Sequence, residues 1–285
     1  MKLCRYGAPG AEKPGLIDAE GRIRDLSAHV ADIGPDALGK DALARLAAID
    51  PASLKLVEGD VRYGACVGGT RQFIAIGTNF ADHAAESNLP VPEEPVVFQK
   101  WVSCIQGPND PVTIPKDSKK TDWEVELGVV IGTTASYVSE EDALDYVAGY
   151  CVINDVSERH WQVERGLTWD KGKGFPTFGP IGPWMVTKDE VGDPQDLGMW
   201  LSVNGKKMQN GNSKTMIFTV AQIVAYCSQF MTLLPGDVIT TGTPPGVGLG
   251  QKPEPWYLKA GDVVELGIEK LGEQRQEFVA WQAAK

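Results

Sequence analysis

The amino-acid sequence predicts a mixed, β-rich α+β fold with a rolled or sandwiched sheet, and two observations carry that reading. Short apolar runs are separated by clusters drawn from 32 glycines and 19 prolines, the punctuation of many short strands rather than of a helical bundle. Segments with helical periodicity are few, so strands must supply most of the layers. The chain has 285 residues, 42% hydrophobic and 23% charged. That composition excludes intrinsic disorder and provides a core for one large domain with a small partner.

The elements follow in chain order. Residues 1–70 read as a small N-terminal domain. Within it, residues 15–17, a polar turn at 18–21 and residues 22–24 form a hairpin, residues 36–48 form an Ala/Leu-rich helix, and residues 67–70 form a linker. Residues 71–285 read as the larger domain. Residues 73–77, 122–131 and 151–154 are apolar and read as strands. Residues 139–142 open a helix, Ser139 capping it and the acids matching its positive end. Thr219 and Gln222 make a capping box for an apolar helix running to about Met231. Residues 234–240 and 260–265 are two turn-then-strand units.

Charge and cysteine content narrow the function classes. With 27 Lys+Arg against 38 Asp+Glu the formal net charge is −11, which argues against nucleic-acid or anionic-membrane surfaces. No apolar run reaches the ~18 residues of a spanning helix, and the opening MKLCRYGAPG lacks the apolar stretch of a secretory signal. The five cysteines are scattered without a CxxC pair, so reduced thiols in a cytoplasmic protein are expected.

Five constellations bear on chemistry. In DWEVELGVVI, residues 122–131, the strand period of two puts Glu124 and Glu126 on one face. Gly128 follows on that face and is expected to leave space beside them. Two adjacent carboxylates repel unless a proton or a cation intervenes. Oxygen-only donors suit Mg²⁺, Mn²⁺ or Ca²⁺, while a solvated acidic face is the alternative. Asp155, at the end of the apolar strand 151–154, offers a third carboxylate or else a helix cap. His83 and Glu86 are three residues apart and face one side of a helix, as a general-base pair or a plain surface contact. Lys173, between Gly172 and Gly174, can approach a ligand closely, but the segment lacks the Walker pattern. The loop 240–248 is rich in glycine and hydroxyls and can cradle a carboxylate through backbone N–H groups. It lacks the GxGxxG spacing of a dinucleotide site. Trp101, Trp123, Trp161 and Trp184 are candidates for a pocket wall, with core packing the alternative for each.

Taken in order, GTNFADHAAE, DWEVELGVVIG, NDVSERHWQ, KGKGFPTFGPIGPW and GDVITTGTPPGVG resemble the fumarylacetoacetate hydrolase family of metal-dependent acylpyruvate hydrolases, over roughly residues 70–285. GPIGPW, QNGNSKTMIF and the tail QKPEPWYLKAGDVVELGIE look most like its sugar-acid branch, the 2,4-diketo-3-deoxy-L-rhamnonate and -fuconate hydrolases. Relatives of that appearance also include ureidoglycolate lyases.

The resemblance implies a β-sandwich roll, usually dimeric. It implies Glu124, Glu126 and Asp155 as ligands of Mg²⁺, with Mn²⁺ or Ca²⁺ as substitutes. His83 and Glu86 match the water-activating pair on a mobile lid, and Lys173 joins them as a catalytic residue. Arg159, Gln162 and Lys173 match positions that hold substrate oxygens, and Thr243 a hydroxyl near the substrate carboxylate. His160 and Pro176 stand where relatives commonly have Asp, which bears on specificity. The expected reaction is hydrolysis of the C3–C4 bond of a 2,4-diketo acid. With the rhamnose-derived acid the products are pyruvate and lactate. Decarboxylation, enol–keto isomerisation, a lyase step on ureidoglycolate, and non-catalytic binding of metal or sugar acid are the competing readings.

Overall fold

The structure, a computed structural model, describes residues 1–86, 90–166 and 168–283, the side chains of residues 83–85 excepted. The chain opens with β1 (Lys2–Tyr6), β2 (Lys13–Ile17) and β3 (Ile23–Asp25), then α1 (Pro35–Leu38) and α2 (Lys40–Ala47). Next come β4 (Phe73–Gly77), α3 (Ala81–Glu86), β5 (Val96–Lys100), β6 (Ile105–Gln106), β7 (Val112–Ile114), β8 (Thr121–Asp122) and β9 (Val125–Ile131). The middle of the chain forms β10 (Val147–Asn154), β11 (Ser157–Glu158), α4 (Asp170–Lys173), β12 (Gly179–Thr187) and α5 (Lys188–Val191). The last part forms β13 (Gly198–Val203), β14 (Lys206–Asn212), α6 (Val220–Cys227), β15 (Val238–Thr240), β16 (Val263–Ile268) and β17 (Gly272–Ala280).

Two large sheets organise these elements. One runs β3-β2-β1-β12-β10-β9-β15-β4-β5, with β6 added parallel to β12. The other runs β14-β13-β16-β17-β7. Strands β13, β16 and β17 pack on β9, β10 and β12, giving the β-rich sandwich with few helices that the sequence predicts. Strand β9 is buried along its whole length, as a central strand covered on both faces must be. Buried amides bridge the sheets: Gln274 Nε2 donates to Val152 O (2.8 Å) and Gly182 O (2.9 Å). Among the described residues no helix is long and apolar enough to cross a membrane.

Residues 1–70 contribute β1–β3 to an edge of the large sheet, through antiparallel pairing of β1 with β12. The hairpin around residues 18–21 is present, with Ile17 opposite Ile23. Leu3, Leu26, Leu38 and Val67 lie in the same apolar core as Val125 and Leu127, and Gly68 N–H donates to Ile33 O at 2.8 Å. The segment expected as a linker is therefore packed.

Three local expectations are corrected. The helix over 36–48 is broken at Gly39, whose backbone is extended (φ −66°, ψ 154°). The helix after Ser139 is only a 3-10 turn, Ala143–Tyr146: Ser139 does accept from Asp142 N–H at 3.2 Å, but β10 begins at Val147 and leaves no room for α-helical turns. The strand over 122–131 is interrupted at Trp123 and Glu124, where Asp122 Oδ1 accepts the N–H of Trp123 at 2.8 Å and β8 pairs with β11 instead of β10. The capping box on α6 is formed as expected, although that helix ends at Cys227.

Candidate active site

The pairing of β9 with β10 brings three carboxylates together. Val125 stands opposite Asn154 and Glu126 opposite Ile153. Extending that pairing by one residue puts Glu124 beside Asp155, and Asp155 N–H donates to Glu124 O at 2.9 Å. Residues directly opposite in an antiparallel pair share a face, and Glu126 lies one pleat along on the same face. One oxygen from each of Glu124, Glu126 and Asp155 lies within 4.8 Å of the others. All three residues are buried. Gly128 does not leave open space beside them: a Cβ there would meet Ile153 Cδ1 at 2.6 Å and Cys151 Sγ at 2.7 Å. That space is filled from β10.

A chain of alternating charges holds the acids. Arg159 Nε donates to Asp122 Oδ2 (2.8 Å) and its terminal nitrogens to Glu124 Oε1 (2.7 Å) and Gln162 Oε1 (2.9 Å). Lys173 Nζ bridges Glu124 Oε2 (2.6 Å) and Asp155 Oδ2 (2.7 Å). Lys100, fully buried, sits 2.6 Å from Asp155 Oδ1. Its ammonium also reaches the carbonyls of Lys173 and Val156, and Asp155 Oδ1, though ion-paired, accepts no aligned hydrogen bond. Burial alone would lower Arg159 and Lys173, but the carboxylates they touch outweigh it, and both are held above their ordinary values.

Glu126 is the exception. Only neutral donors hydrogen-bond it among the described residues: Thr240 Oγ1 at 2.5 Å and Gly242 N–H at 2.9 Å, both on Oε2. Burial, then the charges of Asp155 and Glu124, push its carboxyl well above the usual range. Across the cluster, Asp122, Glu124, Glu126 and Asp155 face Lys100, Arg159 and Lys173, one positive charge short. An all-oxygen donor set, a buried oxygen without a hydrogen bond and a missing positive charge fit a hard divalent cation.

The loop after β15 cradles carboxylates, as its composition suggests, but they are the protein's own. Gly242 N–H goes to Glu126, Gly246 N–H to both oxygens of Glu86 (3.1 Å each), and Gly248 and Leu249 N–H to Asp122 (2.6 and 2.9 Å). Glu86 thereby pins α3 to this loop. The side chain of His83 lies outside the described residues. Thr243 lines the same cavity, but its hydroxyl proton is spent on Val125 O (3.0 Å) while it accepts from Gln209 Nε2 (2.8 Å). With its proton so engaged, it has none to offer a substrate carboxylate.

The glycine before Lys173 permits a close approach to the protein's own backbone rather than to a ligand. At Gly172 a Cβ would meet the Gln162 backbone nitrogen and Glu158 O, each at 2.6 Å. Only glycine lets α4 lie against the turn His160–Glu164, which carries Gln162. Glu124, Glu126, Asp155, Arg159, Gln162 and Lys173 all line one cavity of about 270 Å³.

Its aromatic wall comes from none of Trp101, Trp123, Trp161 and Trp184, for which core packing is the default reading. Phe98 and Trp169 supply it, edge to face at 5.3 Å. Trp123 is buried against Trp256, Trp161 packs on Phe175, Trp184 contacts Tyr63, and Trp101 covers Gly174 half-exposed. His160 is exposed and pairs with Glu164. The residues missed by sequence reasoning are Lys100, Asp122, Thr240, Phe98 and Trp169. Asp122 opens the DWEVE motif and Thr240 the TTGTPPG loop, so both lay in view. Lys100 is an ordinary strand-end lysine with no pattern around it.

Comparison with known proteins agrees with this geometry. A family model described as fumarylacetoacetate (FAA) hydrolase C-terminal matches residues 72–279. A curated relative from Burkholderia multivorans is 69% identical over 276 residues, covering 97% of this chain and 98% of its own, and its name states a hydrolase without a substrate. Among solved structures, a fumarylacetoacetate hydrolase from Exiguobacterium antarcticum is 36% identical over 99% of this chain and 100% of its own, with a TM-score of 0.87. A maleylpyruvate hydrolase from a Sphingobium species, in complex with manganese(II) and pyruvate, is 29% identical over the same shares, with a TM-score of 0.82.

Proposed function

The chain belongs to the fumarylacetoacetate hydrolase family, and on that premise we propose that it is a divalent-metal-dependent hydrolase cleaving the C3–C4 bond of a 2,4-dioxo acid. The observation that carries this reading is the buried Glu124–Glu126–Asp155 triad, one positive charge short, in the wall of a cavity that also presents Arg159 and Lys173. The manganese and pyruvate of the Sphingobium neighbour support it. Mg²⁺ is the cation of this reading, held by the triad, with Mn²⁺ as an alternative. When bound, such an ion supplies Lewis acidity toward the paired oxygens of a 2-oxo acid.

The chain's own residues do the rest. Lys173 and Arg159 set a positive field for an anionic substrate. Arg159 occupies Gln162 Oε1, which leaves the Gln162 NH₂ as a donor toward charge developing on the C4 oxygen. Loss of one such donor typically costs about 10²–10³ in rate. His83, supported by Glu86, takes a proton from the attacking water. The water oxygen joins C4, the C3–C4 bond breaks, and C3 recovers a proton, giving pyruvate and a carboxylic acid.

Within the family, GPIGPW and QNGNSKTMIF favour the sugar-acid branch, and 2,4-diketo-3-deoxy-L-rhamnonate would yield pyruvate and lactate. The test is pyruvate release from a panel of acylpyruvates that includes this acid, with Mg²⁺ and with EDTA. EDTA-sensitive pyruvate is expected. Metal binding without pyruvate from any member would replace the hydrolase with the isomerase, decarboxylase or ureidoglycolate lyase reading.

A further inference from the structure

We propose that the acyl end of this cavity is built for an uncharged group, so that the substrates are monoanionic 2,4-dioxo acids and not dicarboxylates. This rests on the hydrolase reading above and narrows it. Besides the charged cluster, the cavity is walled by the apolar side chains of Ile76, Phe98, Val163, Trp169 and Leu249. The wall is held in place: Phe98 and Trp169 pack edge to face, and the Trp169 ring lies over the bare backbone of Gly77, where a Cβ would meet it at 2.2 Å.

A second buried carboxylate needs a cation of its own, and no described lining residue offers one that is not already paired. Among the described lining residues the cations are Arg159 and Lys173, both bonded to the protein's own carboxylates. Lys100 is buried with its ammonium on Asp155 and on backbone carbonyls. The neighbouring surface cations are engaged elsewhere. Arg165 stacks on Trp161 at 4.2 Å, and Lys171 donates to the carbonyl of Arg165.

Charge counting points the same way. The buried cluster lacks one positive charge, so a divalent cation leaves one positive charge in excess. One substrate carboxylate balances it. A second would be desolvated against aliphatic and aromatic carbon without a partner, which disfavours its binding.

The experiment compares butanoylpyruvate with succinylpyruvate, which differ by a terminal methyl against a carboxylate, on the full chain with Mg²⁺. We expect kcat/KM to favour butanoylpyruvate by about 100-fold or more, from the unpaired charge. A ratio within about threefold of unity, or a reversed one, would overturn the proposal. Val163→Arg adds a cation at a half-exposed position of the wall, and should shift the ratio toward succinylpyruvate by about tenfold. An unchanged ratio in that variant would also overturn it. If neither acid is cleaved, the acylpyruvate panel above decides the hydrolase reading separately. Calorimetric binding of the two acids to the Mn²⁺-loaded protein then decides the present one: tighter butanoylpyruvate supports it, and any other result overturns it.

Discussion

Thr240 gives its hydroxyl proton to Glu126 Oε2 at 2.5 Å, securing the single carboxylate of the cluster that is not paired with a cation among the described residues. Glu124 and Asp155 each touch Lys173, and Asp122 touches Arg159. The need for further positive charge is therefore concentrated at Glu126. Glu126→Gln should keep both hydrogen bonds through the amide oxygen and remove the buried charge. Mn²⁺ affinity measured by calorimetry should fall by about 10² or more, since a ligand is lost. In EDTA the variant should melt higher than wild type, by about 1–2 kcal/mol of stability, because an unpaired buried carboxylate is costly. A lower melting temperature in EDTA would contradict the charge-deficit argument.

Lys173 neutralises the same acids and also lines the cavity. In Lys173→Met the acids lose that ammonium, so divalent affinity should rise while kcat/KM on an acylpyruvate falls by about 10²–10³. The opposite signs of the two effects separate this role from simple unfolding. Parallel losses of affinity and turnover would count against it.

His83 is assigned the proton from water. His83→Ala should lower kcat by about 10²–10⁴ with Mn²⁺ affinity unchanged. Glu86→Ala should lower kcat as well, and it frees Gly246 N–H from both oxygens that hold it. Hydrogen exchange at Gly246 should speed up in Glu86→Ala and stay slow in His83→Ala. Wild-type turnover in His83→Ala would remove it from the base role.

Gly77→Ala places a methyl where the Trp169 ring sits, 2.2 Å away. Overpacking of this kind costs about 1–3 kcal/mol. The expected readouts are a lower melting temperature, altered Trp fluorescence and a KM rise for acylpyruvates with long acyl groups. An unchanged KM would mean that Trp169 does not bound the substrate.

Arg62 ties residues 1–70 to the rest, reaching Glu12 at 3.0 Å and Asp110 at 2.5 Å. Burial raises the Glu12 carboxyl, but the hydrogen bond from Arg62, the backbone and the charge of Arg5 outweigh it. The group sits below its ordinary value of 4.5. A depressed carboxylate stabilises the fold above the unfolded value, and that contribution is lost as the pH falls through the folded one. Arg62→Met should therefore cost about 1 kcal/mol at neutral pH, discounted for partial exposure. Denaturant titrations should show the gap from wild type narrowing as the pH falls below 4.5. A gap that is constant with pH would assign the loss to packing.

The sequence by itself determined which side chains were available and which of them faced together locally. The period of two placed Glu124 and Glu126 on one side, the capping box placed α6, and the ordered motifs identified the family and its carboxylates. Glycine beside Lys173 suggested a close approach to a ligand, whereas Gly172 serves the packing of α4 on the turn His160–Glu164. What only the tertiary structure decided were pairings between distant segments. The register of β9 on β10 set Asp155 beside Glu124, a sliding variable that no single strand encodes. Burial then turned lysines and an arginine into counter-ions: Lys100, without a local pattern, lies under Asp155, and Asp122 joins Arg159 to the loop at Gly248. The loop 242–249 had the composition of a ligand cradle, but its N–H groups were taken up by Glu126, Glu86 and Asp122 once the chain folded over them. The cavity wall also came from tertiary packing, because whether a Trp lines a pocket or fills a core depends on what lies across from it. Trp169 faces Gly77 and Phe98, while Trp123 faces Trp256. Local sequence fixes direction along an element, and the free energy of burying the opposite face selects the partner.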